Sequence, residues 1–188
     1  GKVSTAPLLK AVLNRDEGLR KRNTLSHLAI FQTRHYSKLL GVTDAAMNIS
    51  PEIKEKVAII ENAKEIFQSL GITKPRIAVL GPIETVNPDI SSTTDAAILV
   101  QMNRRNQIRD CIIDGPLALD NAVSGEAAEH KVILSDVSGK VDILVTPDLN
   151  SGNILYKSLS FLSDGLSAAI ILGARVPVVV TSRADSEE

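Results

Sequence analysis

Near the end of the chain the apolar run Val141–Val145 leads straight into Pro147-Asp148-Leu149-Asn150-Ser151-Gly152-Asn153, then into a segment carrying Tyr156 and Lys157. Two more apolar runs, Ala168–Leu172 and Val176–Val180, end on Thr181-Ser182-Arg183. Polar side chains therefore gather where apolar strands stop, and open α/β sheets bind ligands at the carboxyl ends of their strands. The set is Asn, Ser, Tyr, Lys and Arg, which suits a phosphate-bearing ligand better than a metal. Arg183 offers a planar fork of donors that pairs bidentately with phosphate, and Ser182 adds a hydroxyl. Taken alone, that dipeptide reads as a surface arginine at a strand end.

A second polar pair stands at the start. Ser4 or Thr5 is placed to cap a short helix with the apolar face Leu8, Leu9, Val12 and Leu13, and Pro7 fits its first turn. Capping is compatible with anion binding, because a helix N-terminus presents free N–H groups and positive dipole. Asn150 to Asn153 also fall at a helix start, where capping alone accounts for them. The apolar stripe of that helix is Leu155, Leu159 and Leu162, which leaves Tyr156 off its centre and able to face a cleft. Lys157 reads equally as a solvated lysine. Asp114, Gly115, Pro116 and Asp120 follow a strand; a turn explains the Asp-Gly-Pro, and the strand-end position makes them cleft-lining candidates.

Other polar residues carry no chemical signature. His27, His35 and His130 are scattered without metal-ligand spacing. Cys111 lies inside an apolar strand and is expected to be buried rather than nucleophilic. Arg20-Lys21-Arg22 reads as a solvated loop, and neither a Gly-x-Gly-x-x-Gly nor a Walker sequence occurs.

These residues need elements to position them. Residues 25–31 read as a strand and 38–44 as its hairpin partner. Ser50-Pro51 starts a helix with the stripe Ile53, Val57, Ile60, Phe67 and Leu70, ended by Gly71. Ile77–Leu80 is a buried strand after Pro75, and 81–92 is a loop. Thr93 or Thr94 caps a helix to about Gln107; Cys111–Ile113 is a strand, and 118–130 is helical. Alternation of strands and helices from 51 to 181 predicts βαβ units and a largely parallel sheet.

The chain of 188 residues is long enough for one large or two small domains. Its 44% hydrophobic content with only 3% aromatic residues and no Trp requires a core of Val, Ile, Leu and Ala, typical of sheets covered on both faces. A net charge of -1 gives no electrostatic case for nucleic acid or membrane partners. One cysteine cannot form an internal disulfide, so a reducing cytoplasm is the expected compartment.

Three ordered blocks resemble the phosphate acetyl/butyryl transferase family. They are Gly1-Lys2-Val3-Ser4-Thr5-Ala6 with Leu8, Leu9 and Lys10; Ile113 to Ala122; and Pro147–Asn150, Gly152-Asn153, Tyr156-Lys157 followed by Ser182-Arg183. The resemblance covers essentially the whole chain. It implies the two-domain α/β fold shared with isocitrate and isopropylmalate dehydrogenases, with the active site between domains and the outer domain incomplete. Residues 1–19 and 111–188 would be parts of the outer domain, and 20–110 the inner, dimer-forming domain. It also implies no tightly bound cofactor and no metal. Coenzyme A and phosphate would be substrates, and the protein a homo-oligomer.

In that family the Ser4-Thr5 and Ser182-Arg183 positions hold the phosphoryl group, Tyr156 borders the acyl phosphate, and Lys10, Asn153, Lys157 and Asp114 are further binding candidates. Val3 and Lys10 stand where acetyl-specific members tend to have His and Arg. Ser182-Arg183-Ala184-Asp185-Ser186 replaces their Ser-Arg-Gly-Cys-Ser. These departures point to the butyryl branch, with phosphate acetyltransferase as the nearest rival. The chain reads as roughly the C-terminal two-thirds of such an enzyme with its last helix cut off. The aspartate that assists deprotonation of coenzyme A would then fall past Glu188, and a folded, non-catalytic piece is the other reading.

Overall fold

The structure, a computed structural model, describes residues 7, 11, 12, 14, 18, 19, 21, 22, 24–163 and 165–179. Six strands form one sheet: β1 (Ser26–Thr33), β2 (Tyr36–Thr43), β3 (Arg76–Leu80), β4 (Ile112–Leu117), β5 (Ile143–Val145) and β6 (Leu166–Leu172). Between them lie α1 (Ile53–Ser69), α2 (Ser91–Arg104), α3 (Leu119–Val123), α4 (Gly125–His130) and α5 (Leu149–Leu162).

The sheet order is β4-β3-β5-β2-β1-β6. Its β4-β3-β5-β2 part is parallel, and β1 pairs antiparallel with both β2 and β6. The sheet is thus mostly parallel as expected, with an antiparallel edge. The reason is local: Arg34-His35 is a tight turn between Thr33 and Tyr36, and a two-residue link permits only an antiparallel hairpin. The expected division near residue 110 falls between α2 and β4, and strands on both sides of it share this one sheet.

Side chains alternate between two cores, as strand geometry requires. Ile77, Val79, Ile143 and Val145 face the layer of α1 and α2, with Ile60, Phe67 and Leu99. Ala78, Leu80 and Leu144 face the other layer, where Ala122, Leu155, Tyr156 and Leu159 pack. Phe67 is fully buried, and Gly41 in β2 makes room for it: a β-carbon there would stand 2.8 Å from the Phe67 ring.

Helix ends follow side-chain chemistry. Gly71, at φ 92°, closes α1 in a Schellman arrangement, with Gly71 N–H on Gln68 O and Ile72 N–H on Phe67 O, both at 3.0 Å. Leu70, read as part of the buried stripe, is half exposed because the helix has already ended there. Helix α2 begins at Ser91, not at Thr93. The Thr93 hydroxyl instead donates to Ile90 O (2.8 Å) and accepts from Asn87 N–H (2.9 Å), tying the preceding loop to the first turn. The 118–130 segment is two short helices broken at Ser124, whose hydroxyl caps the second. Of the Val176–Val180 run, the described residues make a single bridge, Val178 to Ile171.

Candidate functional site at the carboxyl ends of the parallel strands

Adjacent strands β3 and β5 send the chain to opposite faces of the sheet, β3 toward α2 and β5 toward α5. Diverging connections open a crevice at the carboxyl ends of such strands. Three segments follow the carboxyl ends of the parallel strands here: Asp44–Asn48 after β2, Gly81–Ile90 after β3, and Thr146–Asp148 after β5.

The segments after β2 and β5 are locked together. Thr146 N–H donates to Thr43 O at 2.8 Å, and its hydroxyl donates to Asp44 O at 3.2 Å. Leu149 N–H donates to Ile49 O at 3.0 Å. Asn153 Nδ2 donates to Ala45 O at 3.2 Å. Gly152 lets α5 come this close, because a β-carbon on it would lie 2.3 Å from Asp44 O and 2.7 Å from Thr146 Oγ1. The Gly-Asn pair of the third block therefore joins two strand ends.

Asp44 organises the loop after β2. It is buried, with Oδ1 accepting from the N–H groups of Ala46 (2.9 Å) and Met47 (3.0 Å). Its Oδ2 accepts from Asn48 N–H (3.2 Å) and from the Asn48 side-chain amide, which also donates to Leu25 O at 2.8 Å. Four donors around one carboxylate supply the satisfaction that a buried charge requires. Sequence reasoning did not single out Asp44. The available signal was an acidic residue directly after an apolar strand at a sheet's carboxyl edge.

The start of α5 is closed by its own side chains. Asp148 is the cap: its carboxylate accepts from Ser151 N–H at 2.8 Å and from the Ser151 hydroxyl at 2.9 Å. With Leu149 N–H on Ile49 O, much of the first turn is used internally. Asp148 is thus the N-cap, Ser151 closes the capping box with it by accepting from Asp148 N–H at 3.4 Å, and Asn150 and Asn153 are not caps. A helix start that carries a carboxylate repels a phosphate rather than cradling it.

The remaining binding candidates separate. Tyr156 is half-buried and packs on the core with one side: its ring stands edge-on to His27 (5.7 Å between centroids, 86°) and lies 5.9 Å from Phe31. Leu162, read as part of the buried stripe, is 86% exposed, so the inward face of α5 is Leu155, Tyr156 and Leu159. Lys157 is exposed on α5. Asp114 lies within β4, two strands from β5, about 10 Å away at the usual strand spacing. It stands in the strand rather than in a turn, accepting from Gly115 N–H at 2.9 Å. Gly115, at φ 156°, is pressed against β3, where a β-carbon would lie 2.6 Å from Val79 O. Ser4, Thr5, Lys10, Ser182, Arg183 and Asp185 lie outside the described residues.

On the β3 side, Glu84 accepts from the buried Asn121 amide and from Lys131 Nζ, the latter at 2.7 Å. The Lys131 hydrogen bond holds the Glu84 carboxyl below its ordinary range. Asp120 adds a 3.3 Å contact to Lys131, so its place is in this surface cluster. Arg22 donates to Asn62 Oδ1 at 2.6 Å and pairs with Glu65, so this part of the basic run is anchored to α1 rather than solvated. Cys111 is buried, and burial pushes its thiol up to about 11. Among the described residues no cluster of three or more His, Cys, Asp or Glu could hold a metal ion, and no helix is long and apolar enough to cross a membrane.

All 188 residues match the family described as phosphate acetyl/butaryl transferase. The chain is 51% identical to a probable phosphate butyryltransferase of Bacillus subtilis, over 100% of this chain and 63% of the relative. It is 48% identical to a phosphate acetyltransferase of Thermotoga maritima, over 100% of this chain and 64% of the relative. The crystal structure of a branched-chain phosphotransacylase from Enterococcus faecalis superposes with a TM-score of 0.90 at 39% identity, over 99% of this chain and 66% of that one. The chain therefore spans a little under two thirds of the curated relatives' length. A whole-chain match, together with a shared mostly parallel six-stranded fold, makes the chain a member of the phosphate acetyl/butaryl transferase family.

Proposed function

We propose that the chain is part of an acyltransferase that interconverts butyryl-CoA plus phosphate with butyryl phosphate plus CoA. The carrying observation is that family membership coincides with tightly joined strand ends at the third block's position in the fold. The Pro147–Asn153 block joins the carboxyl ends of β2 and β5 through Gly152 and Asn153. The relatives' names include both butyryl and acetyl transferases, so phosphate acetyltransferase is the second reading.

In the forward direction a phosphate oxygen attacks the thioester carbonyl. A tetrahedral carbon forms, the C–S bond breaks, and the CoA sulfur leaves and takes up a proton. Negative charge grows on the carbonyl oxygen, where fixed donors are most effective. The closed start of α5 offers little to an anion; the family resemblance assigns phosphate recognition to Arg183, Ser182, Ser4 and Thr5, with Lys10 and Lys157 as further cations. Holding acyl-CoA and phosphate in one cleft supplies the orientation part of the rate. Asn153 serves chiefly to hold α5 on the β2 loop.

We extend the reading to the dehydrogenase-like two-domain architecture, with the cleft between domains, a homo-oligomer and a cytoplasmic location. The test is formation of butyryl-CoA from butyryl phosphate and CoA by the full chain and by Arg183→Ala. The variant is expected to lose about 3 kcal/mol or more of transition-state stabilisation, as for a lost oxyanion donor. A loss of less than about tenfold in kcat/KM would remove Arg183 from the site.

A further inference from the structure

His27 is a polar ring in an apolar setting. It lies in β1, between Ile171 of β6 and the end of β2. Continuing the register Ala29↔Val42 places it level with Asp44. The Thr43 hydroxyl donates to His27 O at 2.9 Å, which fixes the backbone at this point. Above the ring stands the Tyr156 phenol, edge-on at 5.7 Å. His27 Nδ1 is buried without a hydrogen-bond partner.

An enclosed nitrogen with no partner costs stability, and the nearby carboxylate does not relieve it. Asp44 is fully engaged with Ala46, Met47 and Asn48. Burial lowers the His27 pKa below its ordinary value, and the opposing pull of Asp44 is the smaller effect. The Tyr156 ring on α5 packs on the imidazole, and the residue opposite His27 on β6 is the apolar Ile171. The imidazole is therefore neutral near neutral pH, and a neutral ring can pack tightly against a phenol edge.

We infer that His27 is a positioning residue for Tyr156: its ring, packed edge-on, fixes the phenol and with it the first turns of α5 against the Asp44 loop. For what Tyr156 then does, the inference rests on the acyltransferase reading. Its placement in the fold does not depend on that reading.

Two observables separate these layers. The sequence has two tyrosines and no tryptophan, so ring-labelled tyrosine NMR reports on Tyr36 and Tyr156 alone, and Tyr36→Phe assigns them. In the full chain, the Tyr156 signals are expected to shift with pH below the ordinary histidine range. They are expected to stay flat in His27→Phe, which keeps a ring and removes the titration. His27→Ala is expected to displace or broaden the Tyr156 signals.

In phosphate-dependent turnover of butyryl-CoA, His27→Ala is expected to raise KM for phosphate by about tenfold with kcat little changed, the sign of lost ground-state positioning. His27→Phe is expected to restore most of that affinity. Tyr156 signals unchanged in His27→Ala, or a titration that persists in His27→Phe, would overturn the inference; so would equal KM values for the two variants. If His27→Ala does not fold, the wild-type titration and His27→Phe decide the question. Absence of turnover in the whole enzyme of which this chain is part would overturn the acyltransferase reading and leave the NMR result to judge His27.

Discussion

Gly152 and Asp44 touch backbone to backbone: a β-carbon on Gly152 would stand 2.3 Å from the Asp44 carbonyl oxygen. No side chain fits between them, and neither partner can move without breaking the Thr146 bonds to Thr43 and Asp44. Gly152→Ala is therefore expected to destabilise the fold despite the better helix propensity of alanine. Overpacking of this kind costs about 1–3 kcal/mol, more where the obstacle is backbone. Urea unfolding of the two proteins measures it; equal midpoints would mean the two segments are not in contact.

The Asp148 carboxylate caps α5, and Asp148→Ala is expected to cost about 1 kcal/mol. Asp148→Asn keeps the capping geometry and removes the charge that faces an incoming anion. It is expected to hold stability close to wild type and to tighten phosphate binding. Weaker phosphate binding in Asp148→Asn would show that the carboxylate helps the ligand.

Acid stability follows from His27. Its folded-state pKa lies below the ordinary 6.5, so the unfolded chain binds the extra proton first. The contribution is complete above pH 6.5 and is lost as pH falls from there through the folded value. The slope for one proton is at most about 1.4 kcal/mol per pH unit. Stability measured from pH 7.5 to 5 should decline less in His27→Phe than in wild type, and parallel curves would contradict the assignment.

Alkaline stability follows from two groups with raised values. Burial, then the charge of Asp142, lifts Tyr36 to about 12, and its hydroxyl donates to Val141 O at 2.6 Å. Cys111 is lifted to about 11. Both contributions are complete below the ordinary values of these groups and fade as pH climbs through the folded ones. Tyr36→Phe is expected to lower stability at neutral pH and to flatten its decline above pH 10. Cys111 is expected to resist thiol reagents at pH 8 until the protein unfolds; immediate stoichiometric labelling would place it at the surface.

The elements written in local periodicity were legible. The stripe of α1, its Gly71 stop and the apolar strands after Pro75 and before Pro147 need only short-range information. The joining of strand ends was harder to read, because it depends on distant partners. Asp44 acquires its meaning when Gly152 and Asn153 arrive more than 100 residues later. Tyr156 looked off-centre on a leucine stripe, yet it faces inward, since β1 presents His27 and Phe31 beneath it. The stripe tilted away from Leu162 at the helix end for the same reason. The family blocks include residues whose visible work is to hold the fold. Gly152 and Asn153 are two of them.

The most direct test of the acyltransferase reading is thiol release from butyryl-CoA by the full chain, with and without inorganic phosphate and beside acetyl-CoA. The account predicts release that requires phosphate, yields butyryl phosphate in equal amount, and is faster with butyryl-CoA. Release independent of phosphate would contradict it, and faster release from acetyl-CoA would replace the butyryl reading with the acetyl one.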